Sequence, residues 1–190
     1  MAGKIVMVTG GARSGKSVFA EKYVSAAGCT VAYIATAQIY DDEMKQRVAL
    51  HRRRRPENWQ TFEAPYAADQ AMLQAVDTAG AVLFDCLTLY TSNLLLAPDA
   101  PPKAEERYEY VMGQIDKLID SACSGKATVV FVTNEVGMGI VPDNALAREY
   151  RDIAGLVNQK VAASATEVYL VLSGLAVDVK KLAVNIGREV

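Results

Sequence analysis

Residues Gly10 to Ser17, GGARSGKS, stand directly behind the apolar run Ile5 to Thr9 and read G-x-x-x-x-G-K-S. Such a pattern ties a strand, a turn and a helix together in a fixed order. Its glycines, Gly10 and Gly15, let the backbone curl so that successive N–H groups point at one oxyanion, and the helix that follows turns its positive end to the same charge. The residues between, Gly11, Ala12, Arg13 and Ser14, supply backbone donors, Lys16 reaches the terminal phosphates, and the Ser17 hydroxyl can coordinate Mg²⁺. The alternative is a glycine-rich turn that matches by chance. A β-type run before it and a helix-type run after it argue for the phosphate loop and for binding of a nucleoside triphosphate.

Five short runs read as strands: Ile5 to Thr9, Val31 to Thr36, Ala81 to Cys86, Thr128 to Thr133 and Glu167 to Leu172. Each is nearly continuous in apolar residues, the pattern of strands buried on both faces. Between them, Tyr108, Val111, Met112, Ile115, Leu118, Ile119 and Ala122 recur at helical spacing, as do Leu146, Tyr150, Ile153 and Val157. Strand and helix in alternation predict an α/β P-loop NTPase fold, a mostly parallel sheet with helices on both faces. At 190 residues the chain is expected to form one nucleotide-binding and catalytic domain, 1–190, ending in a tail over 181–190 that carries no motif.

Twenty basic and 22 acidic residues leave a net charge of -2, which offers no footprint for nucleic acid or a membrane surface. No apolar stretch approaches the ~18 residues of a membrane span, and a cytoplasmic location is expected. Cys29, Cys86 and Cys123 are odd in number and widely spaced, as reduced core thiols would be.

In parallel sheets ligands bind at the carboxyl ends of the strands, and here those ends are polar. Asp85 closes the run AVLF, where a P-loop protein places the carboxylate that holds Mg²⁺ or its water; a helix cap is the other reading. Glu135, after VVFVTN, is a second carboxylate able to polarise a water or hydroxyl, or a turn residue. Arg148, Arg151 and Asp152 suit substrate or subunit contacts, or a salt-bridged surface helix capped near Asp143.

His51 is the only histidine. Behind the caps Asp41 and Asp42, helical spacing groups it with Met44 and Val48, and Arg47 and Arg55 flank it four residues away on either side. Pro56 then biases Arg55 out of the helix. Position alone suits a satisfied core histidine. The surrounding cations, Arg52, Arg53 and Arg54 among them, disfavour imidazolium and bind phosphate oxygens, so a neutral ring there can attack a nucleotide phosphorus. A solvated basic face or a nucleic-acid patch is the competing reading of the arginines.

GGARSGKS, YIATAQIYDDEM, RVALHRRRRPENW, FDCLT and NEVGMGIVP with LAREYRDIAGLVNQ together resemble the bifunctional adenosylcobinamide kinase / adenosylcobinamide-phosphate guanylyltransferase family of cobalamin synthesis, from the first strand to about Lys180. The resemblance implies phosphorylation of adenosylcobinamide by ATP or GTP, then transfer of GMP from GTP to adenosylcobinamide phosphate through a covalent guanylyl-histidine. It implies His51 as that histidine, and GTP contacts from Ala35, Thr36, Ala37, Arg52 to Arg55, Glu63 and Asp85. It also implies a RecA-like core and a homotrimer. A simple P-loop kinase with a structural His51 is the nearest rival, and an ATP-dependent module that grips nucleic acid is a more distant one.

Overall fold

The structure, a computed structural model, describes residues 3–27, 30–39, 42, 45, 46, 48, 49, 52 and 56–184. Seven strands are present among them: β1 (Ile5–Thr9), β2 (Val31–Ala35), β3 (Gln60–Glu63), β4 (Ala81–Asp85), β5 (Thr128–Val132), β6 (Glu167–Leu172) and β7 (Leu175–Asp178). The continuous helices among the described residues are α1 (Lys16–Ala27), α2 (Ala68–Thr78), α3 (Leu87–Leu95), α4 (Ala104–Cys123), α5 (Ala145–Ser164) and the short α6 (Val179–Leu182). They form one sheet in the order β3-β2-β4-β5-β1-β6-β7. All neighbours run parallel except β6 and β7.

The continuous apolar runs follow from burial on both sides. In β4, Val82 and Phe84 enter one core while Ala81 and Leu83 enter the other, and β1 divides Ile5 and Met7 from Val6 and Val8 in the same way. The larger core receives α2, α3, α4 and α5. The smaller receives Ala20 and Val24 of α1. Phe84 is the hub of the larger core, with its ring edge-on to Tyr90 at 5.7 Å and tilted against Phe131 at 5.3 Å. Phe84→Ala is expected to destabilise the fold by about 3–5 kcal/mol, the sum of lost transfer energy and an unfilled cavity, measurable by urea denaturation.

Two strands lie beyond the five expected, and both are at sheet edges. The run Gln60–Glu63 (QTFE) is mostly exposed and carries one apolar side chain, Phe62, so it has no hydrophobic signature; it forms because β2 offers it a ladder. The antiparallel β7 closes a hairpin onto β6 through Ser173 and Gly174, which have φ values of 50° and 84°. Burial in β6 itself is incomplete, since β7 lies at the open edge, in contrast to the expectation of a strand buried on both faces. Cys86 is buried as expected, whereas Cys123 is exposed because it ends α4 just past the buried Ser121 and Ala122. Cys29 lies outside the described residues. The cap of α5 is Asn144, one residue after the expected Asp143, because the Asn144 side chain is the one that accepts from Ala147 N–H at 2.7 Å. No helix among the described residues is long and apolar enough to cross a membrane.

The helix after β1 packs in one core and the helix after the neighbouring β5 packs in the other. The two connections therefore leave the sheet in opposite directions and open a crevice at the carboxyl ends of β1 and β5. The glycine-rich loop sits at this crevice.

Candidate active site

Gly10 leaves β1 with φ 157° and Gly15 enters α1 with φ 98°. A side chain on Gly10 would collide with the Val171 carbonyl oxygen, and one on Gly15 would lie 3.2 Å from the Gly174 Cα. The loop is thus pressed against the β6–β7 hairpin, and Gly174 N–H donates to the Ser14 carbonyl at 2.8 Å. Gly11, Ala12 and Arg13 are exposed, and Arg13 adopts φ 56°. The Ser14 hydroxyl is buried with no hydrogen-bond partner among the described residues. A buried donor without an acceptor is costly unless a ligand supplies one.

Lys16 is the first residue of α1, and its ammonium donates to the Gly11 carbonyl at 3.0 Å, so the side chain bridges its own loop. Burial pushes its pKa below the usual lysine value, opposed by the electrostatic pull of Cys86 and Asp85. A buried cation satisfied by one carbonyl gains by meeting an anion. The neighbouring Cys86 thiol is pushed up to about 12 by burial and by Asp85, which keeps it protonated and removes it as a nucleophile.

Asp85 ends β4 and accepts from the Tyr33 hydroxyl at 2.8 Å. It does not cap α3: the capping position is Cys86, whose side chain makes no capping hydrogen bond. Asp85 and Ser17, both half-buried, are hard oxygen donors of the kind Mg²⁺ takes together with substrate phosphates. Among the described residues no group of three or more His, Cys, Asp or Glu side chains is placed to hold a metal ion.

The end of β2 is held by a buried polar network. Thr36 is fully buried, and its hydroxyl donates to the Cys86 carbonyl at 2.9 Å and accepts from Cys86 N–H at 2.8 Å. Asn93 of α3 donates to the carbonyls of Thr36 at 2.7 Å and Pro65 at 2.9 Å. Ala35 and Ala37 on either side are half-buried. The Thr36 hydroxyl therefore positions the strand ends rather than facing outward. Neither Tyr33 nor Asn93 is singled out by pattern, although a lone Asn inside the apolar LTLYTSNLLL is the signal that finds the latter.

Arg52 and Glu63 are joined by an ion pair, both side chains exposed, at the outer edge of the sheet. Asp42, Lys45, Gln46, Val48, Ala49 and Arg52 are helical, and Val48 is half-buried. His51, Asp41, Met44, Arg47, Arg53, Arg54 and Arg55 lie outside the described residues. Beyond β5, Thr133 donates to Asn158 at 2.8 Å, Asn134 N–H to the Thr88 hydroxyl at 2.8 Å, and Glu135 N–H to the Gly10 carbonyl at 3.2 Å. Arg148 is used locally: it donates to the carbonyls of Pro142 at 3.0 Å and Asp143 at 2.7 Å and so pins the loop before α5. Arg151 and Asp152 form an ion pair at 3.5 Å.

A glycine-rich loop between β1 and α1, a buried lysine folded onto it and a carboxylate at the end of β4 define a P-loop nucleotide-binding protein of the α/β class. Consistent with this, the fold matches a chain from a structure of a prototypical ATPase of the type III secretion system of pathogenic bacteria, with a TM-score of 0.56 and 14% identity. The match covers 97% of this chain and 60% of that one, so this chain spans less than two thirds of its length. Residues 6–179 match the family described as cobinamide kinase / cobinamide phosphate guanyltransferase. The chain is 44% identical over 182 residues to the bifunctional adenosylcobalamin biosynthesis protein CobU of Escherichia coli (strain K12), covering 93% of this chain and 99% of that protein. It is 46% identical over 181 residues to CobU of Salmonella typhimurium (strain LT2), covering 93% and 99%, and 38% identical over 174 residues to CobP of Pseudomonas aeruginosa, covering 92% and 96%. This chain belongs to the cobinamide kinase / cobinamide phosphate guanyltransferase family and is an enzyme, a bifunctional transferase of phosphorus-containing groups.

Proposed function

We propose that this protein phosphorylates the aminopropanol hydroxyl of adenosylcobinamide with ATP or GTP. It then transfers GMP from GTP to adenosylcobinamide phosphate through a covalent guanylyl-His51, giving adenosylcobinamide-GDP and pyrophosphate. The observation that carries this reading is the ligand-ready loop of Gly10 to Ser17 in a chain of this family, with Lys16 buried against it.

In both reactions Gly10, Gly11, Ala12, Arg13, Ser14 and Gly15 surround the phosphates with backbone donors. Lys16 exchanges the Gly11 carbonyl for phosphate oxygens, and the Ser14 hydroxyl gains the acceptor it lacks. Ser17 and Asp85 are the residues that would hold Mg²⁺, which when bound neutralises charge on the triphosphate. His51 attacks the α-phosphorus, and the phosphate of the second substrate later displaces it. Ala35, Thr36, Ala37, Arg52, Arg53, Arg54, Arg55 and Glu63 complete the GTP site; the Arg52–Glu63 ion pair supports this by tying two of them together at the carboxyl end of the sheet. We further assign residues 1–190 to one catalytic unit, working as a cytoplasmic homotrimer.

The test uses GTP labelled at the α-phosphate. With Mg²⁺ present, denatured wild-type protein should retain label that is lost in acid and survives base, as a phosphoramidate does, and His51→Asn should retain none. GTP binding without label on the wild type would turn the assignment toward a simple P-loop kinase.

A further inference from the structure

The two proposed reactions differ in the oxygen that attacks. Adenosylcobinamide phosphate attacks through an oxygen that is already ionised near neutral pH, as a phosphate monoester's second pKa is about 6, whereas the hydroxyl phosphorylated in the kinase step must lose a proton. We propose that Glu135 is the base that takes this proton, a role confined to the kinase half-reaction; it rests on the kinase reading above.

Position singles Glu135 out among the carboxylates at the strand ends considered above. Glu63 closes β3, separated from β1 by β2, β4 and β5, and is paired with Arg52. Asp85 receives the Tyr33 hydroxyl, acts electrostatically on Lys16 and belongs with the metal-binding oxygens. Glu135 follows β5, the strand hydrogen-bonded to β1, and its own N–H donates to the carbonyl of Gly10, the first glycine of the loop.

The carboxylate is also held in orientation. Its Oε1 accepts from Gly137 N–H at 3.1 Å, and a Cβ on Gly137 would lie 3.1 Å from the same oxygen, so a side chain there would crowd it. Upstream, Thr133 and Asn134 are moored to the buried Asn158 and to Thr88. Downstream, Arg148 fixes the carbonyls of Pro142 and Asp143. Glu135 is thus a half-buried carboxylate on a segment anchored at both ends beside the phosphate loop.

As the alcohol oxygen bonds to the γ-phosphorus, its proton passes to Glu135. The bond from the γ-phosphorus to the β–γ bridging oxygen breaks, and its electron pair leaves with the nucleoside diphosphate. Glu135, open to solvent on one side, then returns the proton to water.

Glu135→Gln is the informative variant, because the amide oxygen can still accept from Gly137 N–H while the basic group is gone. Two rates are measured on one preparation: phosphorylation of adenosylcobinamide, and GMP transfer to adenosylcobinamide phosphate made beforehand. The kinase kcat is expected to fall by about 10²- to 10⁴-fold with little change in KM for adenosylcobinamide. GMP transfer should stay at the wild-type level, and it doubles as the control that the variant is folded. A kinase kcat close to wild type, or an equal fall in both rates, overturns the role. If the wild-type protein transfers GMP but does not phosphorylate adenosylcobinamide, the kinase reading fails and the base role falls with it.

Discussion

His51→Ala is expected to lower GMP transfer to adenosylcobinamide phosphate by about 10³-fold or more while phosphorylation of adenosylcobinamide continues. The asymmetry follows from the chemistry of the two steps. Guanylyl transfer through a covalent intermediate needs a nucleophile that can be both formed and displaced, and an imidazole is well matched to a phosphorus centre. Phosphoryl transfer needs positioning and charge stabilisation, which the loop of Gly10 to Ser17 supplies without a histidine. Assaying each half-reaction separately, with adenosylcobinamide and with its phosphate as acceptors, reads the difference directly. Equal loss of both activities in a folded His51→Ala protein would return His51 to a structural role.

Lys16→Met should instead remove both activities together, each by about 10²-fold or more in kcat/KM, because one cation serves the same phosphates in both reactions. Stability should move the other way. The folded protein holds Lys16 buried, and its pKa is lowered by that burial. Between this lowered value and the unfolded one the unfolded chain binds more protons, so stability rises with pH there and the charged lysine opposes folding at neutral pH. Replacing it with an uncharged side chain of similar length relieves that opposition. Thermal melting should therefore show Lys16→Met at least as stable as the wild type in the absence of nucleotide, and nucleotide should raise its Tm less than it raises that of the wild type. A marked fall in Tm would show that the bridge from Lys16 to Gly11 stabilises the loop more than burial of the charge costs.

The opposed effects of these substitutions separate residues kept for the fold from residues kept for the ligand. Phe84 and Asn93 belong to the first kind: one fills the larger core and the other satisfies the Thr36 and Pro65 carbonyls. Lys16 and Ser14 belong to the second, since each is buried with fewer partners than its chemistry can use.

The central sheet was legible in the residues because β1, β2, β4 and β5 are buried on both faces, which leaves their interiors nearly all apolar and confines charge to the strand ends. The phosphate loop was legible for a related reason: a Cβ on Gly10 would collide with the Val171 carbonyl and Gly15 holds a positive φ of 98° against Gly174, so the spacing of the pattern is imposed by sterics. Edge strands obey no such rule. Gln60–Glu63 becomes β3 through its pairing with β2, and Leu175–Asp178 becomes β7 through a hairpin, both decided by partners distant from any local signal. The surroundings of the site were decided in the same way. That Tyr33 donates to Asp85, that Asn93 holds the end of β2, and that Glu135 hangs from the Gly10 carbonyl are contacts across 52, 57 and 125 residues of chain. Local pattern reports what a residue's neighbours in the chain permit; which carboxylate stands beside the phosphate loop depends on strand order, and that is settled only when the sheet assembles.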